Sequence, residues 1–212
     1  KIFADLLSCP VLHTDCTNAR INGESAYVFV CASPDEEKVL YFAREKKGHE
    51  GVKGTVTEDF QGILVHDHEI TFYRYGSAHQ ECLAHVERYL KDSMENESSL
   101  TWNRRMRELL QRMIHYRKEH TGETSLDPQT VAGFEAEYQE ILDKAKEEYK
   151  RNEPSPYYHE GYNLYRRMQE YKTEHLLFLH DMRVPTTNNT AERCLRDYKR
   201  KQTFAMTFRS LE

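Results

Sequence analysis

Long hydrophobic runs are missing from this 212-residue chain. None approaches the roughly 20 apolar residues that a membrane-spanning helix needs, so a membrane-spanning helix is excluded. A charged fraction of 31% and a mean hydropathy of −0.85 describe long solvated helices instead. A disulfide framework is missing as well. The five cysteines (Cys9, Cys16, Cys31, Cys82, Cys194) are odd in number and scattered, and no signal-peptide pattern is visible, which points to reduced thiols in a cytoplasm. An excess of positive charge is also lacking. The net charge is −5, so any nucleic-acid-binding surface must be local, and no helix-turn-helix or zinc-finger signature is found. The chain starts at Lys1 with no methionine and ends in Leu211-Glu212, like a vector junction, and is read as a piece of a longer protein.

What is present begins with a hairpin. Val11-Leu12-His13-Thr14-Asp15 leads through the Asn22-Gly23 turn signal and returns as Ser25–Cys31, two β-prone runs around a tight turn. Asp15 closes the apolar run. It either caps its own loop or offsets its desolvation by meeting a cation. Residues 38–43 read as a third strand of an antiparallel meander, and 48–60 as a helix. Gly62–Asp67 is another short apolar strand ending in an acid. A crossover from the meander lays this fourth strand beside the first. The expected sheet is mixed and five-stranded, with order 3-2-1-4-5 and residues 76–82 supplying the last strand. Asp15 and Asp67 then share one end of the sheet, the layout that a divalent-metal site for phosphoryl transfer requires.

After residue 83 the periodicity turns helical. Trp102, Met106, Leu109, Leu110, Met113 and Ile114 recur at spacings of three and four. Gly122 and Asp127-Pro128 end that helix, Val131 to Ala145 set the stripe of the next, and Tyr158 to about Leu179 form another. These stripes read as packing faces. The expected organisation is a core over 1–96, an all-α insertion over 97–180, and a return to the core over 181–212.

The last stretch, Val184 to Lys201, opens with Pro, Thr and Asn and so announces a helix start. Ala191, Cys194, Leu195 and Tyr198 form a stripe toward the sheet. Glu192 sits beside it in the first turn. With Asn189 three residues earlier, Glu192 reads either as the glutamate of a capping box or as a third metal ligand, and the residues alone leave both open. Arg193, Arg196, Lys199, Arg200 and Lys201 follow directly. They suit DNA phosphates over a metal site, or merely the helix dipole. Cys82 and His85 make half of a zinc site with no second pair, or a packing pair.

In this order, Thr14-Asp15, the strand-end Asp67, Cys82-Leu83-Ala84-His85 with Arg88, and Asn188-Asn189-Thr190-Ala191-Glu192-Arg193-Cys194-Leu195-Arg196 resemble the catalytic domain of the insertion sequence 66 transposases. The resemblance spans nearly the whole chain. It departs at Cys16, where relatives have Glu after the first acid, and at His68-Glu69, where they have Gly-Tyr. It implies an α/β ribonuclease-H-like fold with an Asp-Asp-Glu triad at Asp15, Asp67 and Glu192. It further implies two Mg²⁺ (or Mn²⁺) ions, with Asp15 bridging them, that clamp an in-line displacement at phosphorus. The implied partners are double-stranded DNA at mobile-element ends and target, and a second copy of the chain. The implied location is the bacterial cytoplasm, at the nucleoid when active. Asn188 and Asn189 enter as motif residues. The other readings are an inactive remnant serving as a DNA-binding or assembly module, and a structure-specific nuclease.

Overall fold

The computed structural model describes residues 1–205; the last seven residues of the expected 181–212 segment lie outside them. In chain order the elements are α1 (Ile2–Leu7), β1 (Val11–Ile21), β2 (Glu24–Ala32), β3 (Val39–Arg44), α2 (Gly48–Val52), α3 (Val56–Asp59), β4 (Ile63–His66) and β5 (Ala78–Glu81). A 3-10 turn at Ile70–Arg74 precedes β5. Then come α4 (Leu83–Asn96), α5 (Trp102–Glu119), α6 (Pro128–Arg151), α7 (Glu160–Glu170), α8 (Lys172–His180) and α9 (Asn189–Ala205). The chain divides into two compact units, one of residues 1–81 with 183 onward and one of Cys82–Met182.

In the first unit the sheet order is β3-β2-β1-β4-β5, as the sequence predicts. β1 and β2 pair antiparallel around Asn22 (φ 51°) and Gly23 (φ 83°), the two positive angles that a type I′ hairpin turn demands. β4 runs parallel to β1, and β5 parallel to β4. One expectation changes. Asp15 does not close a strand, because β2 partners β1 all the way to Ile21; only β4 stops short, at His66. Residues 48–60 form two short helices interrupted at Gly54 (φ 73°), and the lead-in contains α1.

The pleat sorts side chains to two faces. On one, Ala19, Ile21, Ala26, Val28, Val30 and Ala32 pack against Ala191, Cys194 and Leu195 of α9, with Tyr198 half-buried beside them, the stripe that the spacing predicts. On the other, Leu12, Cys31 and Leu64 pack with Leu6, Val56 and Phe60 of α1 and the crossover.

The second unit is all-helical. α6 starts at Asp127, whose carboxylate accepts the Thr130 N–H at 2.8 Å, with Pro128 in the first turn. α5 has no cap of its own. Glu148 of α6 accepts the N–H groups of Thr101 and Trp102 in its place. α4 packs on α5 and α7 within this unit. The helix expected over 158–179 is broken at Tyr171 into α7 and α8.

Candidate active site

The parallel register brings the first two acids to the same end of the β1–β4 pair. Val11, Leu12 and His13 stand opposite Ile63, Leu64 and Val65, an offset of 63 − 11 = 52 residues. Carried two residues further, it puts Asp15 opposite Asp67, just where β4 has ended and its neighbour is no longer covered by a ladder. Both lie in the pleat phase of Ala19 and Ile21, the face that α9 covers. Both are half-buried. The Cys16 N–H donates to Asp15 Oδ1 at 2.6 Å.

The third acid arrives on α9, and Asn188 decides how that helix sits. The carbonyl of Asn188 accepts the Glu192 N–H at 3.1 Å, which makes Asn188 the N-cap and places Glu192 one position beyond the glutamate of a capping box. The Asn188 side chain, fully buried, reaches to β1. Its Nδ2 donates to the Thr14 carbonyl at 3.0 Å, and its Oδ1 accepts from His13 Nδ1 at 2.9 Å. The latch therefore grips the backbone next to Asp15. From the turn between β2 and β3, Glu36 accepts from Thr190 Oγ1 at 3.3 Å and pairs with Arg193. Further along, the Tyr41 hydroxyl donates to the Cys194 carbonyl at 3.1 Å. So fixed, Glu192 brings a carboxylate oxygen within 4.8 Å of one on Asp67. Like charges that close repel unless a cation or a proton lies between them.

Beside Asp67 stands a polar cluster that periodicity does not reveal. His66, fully buried, donates from Nδ1 to the Asp67 carbonyl at 2.5 Å and accepts at Nε2 from His79 Nδ1 at 3.1 Å. Glu81, also fully buried, accepts from His68 Nδ1 at 2.6 Å and from the Tyr73 hydroxyl. The available signal was the polarity of β5, Ala-His-Gln-Glu, in a strand whose register partners in β4 are buried.

Burial holds His66 neutral, its pKa pushed down to about 4, and burial lowers those of His79 and His13 too. As pH falls below about 6.5 the unfolded chain takes up a proton at His66 that the folded chain refuses. Stability should therefore be constant with respect to this group above that pH. By pH 4.5 it should have dropped by on the order of 2–3 kcal/mol. Urea midpoints at the two pH values, compared between wild type and His66→Gln, check it; an unchanged pH dependence in the variant would discard the assignment.

The remaining predicted residues lie as follows. Cys82, buried at the N-cap of α4, and His85, half-buried one turn on, offer ligand atoms within 4.8 Å of each other in the second unit. Asn189 is exposed. Arg193, Arg196, Lys199, Arg200 and Lys201 are all exposed on α9. Three of them have partners within the unit: Arg193 with Glu36, Lys199 with the Asn18 carbonyl, and Arg200 with Asp197 at 3.4 Å.

A mixed 3-2-1-4-5 sheet with one acid on β1 and one just past the end of β4, and a helix-borne glutamate near the second, fits the ribonuclease-H-like class of α/β proteins. The sequence matches the family described as Transposase IS66 family over residues 1–212. The chain belongs to that transposase family. No curated protein and no solved structure matches it. Among the described residues no helix is long and apolar enough to cross a membrane.

Proposed function

We propose that this chain is the catalytic domain of a transposase that cuts DNA at the ends of a mobile element and joins it to a target. Asp15, Asp67 and Glu192 would hold divalent cations, Mg²⁺ or Mn²⁺. The observation that carries the reading is the approach of the Asp67 and Glu192 carboxylates to within 4.8 Å, with Asp15 two residues past the last paired position of β1 and β4. Hard oxygen donors on rigid elements suit such cations, which keep several waters of their own. Bound there, the cations supply charge stabilisation and a nucleophile for in-line displacement at phosphorus. The chain's own residues do the positioning. Asn188 fixes the rotation of α9, and His66 fixes the backbone of Asp67. Arg196 and Lys201, with whatever Arg193, Lys199 and Arg200 can spare, contact DNA phosphates. Double-stranded element ends and target are the partners, in an active complex of several copies, in a bacterial cytoplasm at the nucleoid.

The test is a strand-transfer assay with paired element ends, a target plasmid and Mg²⁺ or Mn²⁺. Cut and joined products are expected. Cleavage without joining would make the protein a nuclease of the same fold, and neither product would make it a DNA-binding remnant. Because the α9 run is short and the net charge negative, duplex binding by this chain should be weak and indifferent to sequence, with a Kd of about 10 μM or weaker at physiological salt and a log–log salt slope of about −2 to −4. Fluorescence anisotropy titrations across salt concentrations measure both. Tight, salt-insensitive binding of one duplex would place sequence recognition inside these residues.

A further inference from the structure

The helical unit carries a cleft lined by tyrosines and cations. The last turns of α6 and one side of α7 enclose a cleft of about 760 Å³. The two helices line it with the same spacing. α6 presents Lys146, Tyr149 and Lys150 at i, i+3 and i+4, Glu153 follows in the loop, and α7 presents Tyr162, Tyr165, Arg166 and Gln169 at i, i+3, i+4 and i+7. Tyr149 and Tyr165 are buried, Tyr162 is half-buried, and the cations stand exposed at the rim. Tyr149, Tyr162 and Tyr165 touch one another, with ring centroids 5.1 to 5.8 Å apart. The floor is held from below, where the Tyr149 hydroxyl donates to Glu97 at 3.0 Å and accepts from Trp102 Nε1 at 3.3 Å.

Three cations, Lys146, Lys150 and Arg166, stand around the opening. Lys150 shares its charge with Glu147 at 2.7 Å, and among the described residues Glu153 is the only acid lining the cleft. Cations around aromatic rings are the chemistry of single-strand binding, in which phosphates meet the rim and bases lie on rings. The size suits about one or two nucleotides and not a duplex. We propose that this cleft binds an unpaired stretch of a DNA strand, with a base against Tyr162 and its flanking phosphates on Lys146 and Arg166. The proposal rests on the DNA-handling reading above but needs none of Asp15, Asp67 or Glu192.

The experiment is anisotropy of a labelled single-stranded oligonucleotide against the whole chain, in a salt series. The double variant Lys146→Gln/Arg166→Gln alters only exposed side chains and should keep the wild-type melting temperature. Its salt slope should be shallower by about 1.4, that is two phosphate contacts at ~0.7 each. Tyr162→Ala should weaken binding about tenfold, and Tyr162→Phe should restore it, since the ring and not the hydroxyl does the stacking. Single-strand binding with an unchanged slope in the double variant would overturn the proposal. So would equal displacement by poly-glutamate, which would mean that charge alone is read. If Glu192→Gln abolishes cleavage while the cleft variants bind like wild type, the cleft assignment falls and the catalytic one stands.

Discussion

Glu192→Gln is expected to abolish metal-dependent DNA cleavage while leaving the metal-free protein at least as stable as wild type. Gln keeps the shape of the side chain but cannot supply an anionic ligand. Cation chemistry at phosphorus is worth several kcal/mol, so the loss should be about a hundredfold or more. Stability should move the other way, because the wild-type carboxylate stands within 4.8 Å of a carboxylate oxygen on Asp67 and the substitution removes one of two like charges. Mg²⁺ should raise the melting temperature of wild type, as any ligand of the folded state does, and should do little for the variant. A helix-cap role has the opposite signature: a loss of about 1 kcal/mol, the same with and without Mg²⁺, and normal cleavage. Thermal unfolding of both proteins with and without the cation distinguishes the two without any knowledge of the DNA ends.

The second large effect is at Asn188. Its amide satisfies the buried Thr14 carbonyl and the buried His13 ring together. Asn188→Ala leaves both without that partner and opens a void, at about 1–3 kcal/mol for each orphaned group. A total of about 2–6 kcal/mol should lower the melting temperature by roughly 4–24 °C in a chain of this size. Cleavage should fall further than the folded fraction, because α9 loses its grip on β1 next to Asp15. The adjacent Asn189 is exposed, and Asn189→Ala should stay within about 0.5 kcal/mol. Chemical denaturation of the pair measures the contrast; equal effects would show that the latch is not what holds α9.

That contrast marks where the sequence stops being legible. The sheet order could be read because each strand carries a short β-prone run, and the interval between Asp15 and Asp67 equals the register offset that the structure adopts. The α9 stripe could be read because four apolar residues at helical spacing have to face something. Which of two consecutive asparagines is the cap could not, since the choice turns on a buried hydrogen bond to residues more than 170 positions away. The same holds for Glu81 and His79. A buried carboxylate is intelligible only once His68 and Tyr73 are seen to bond it, and local periodicity has no term for partners brought in by tertiary structure. The end of β1 was misjudged for a related reason. An acid at the end of an apolar run resembles a strand end until the partner strand is known to continue.

The apolar face made by Ala19, Ile21, Val28, Val30 and Ala32 is covered by α9, the last described element of the chain. During synthesis that face is finished some 160 residues before its cover, taken as 192 − 32, which at about 5–20 residues per second is roughly 8–30 s of translation. For that interval the nascent sheet offers sticky surface to any neighbour. The helix that buries it is the one that carries Glu192, so the cover of the sheet and the third carboxylate of the proposed site arrive on the same ribosomal step. A message truncated before α9 would yield a protein that is aggregation-prone and lacks Glu192.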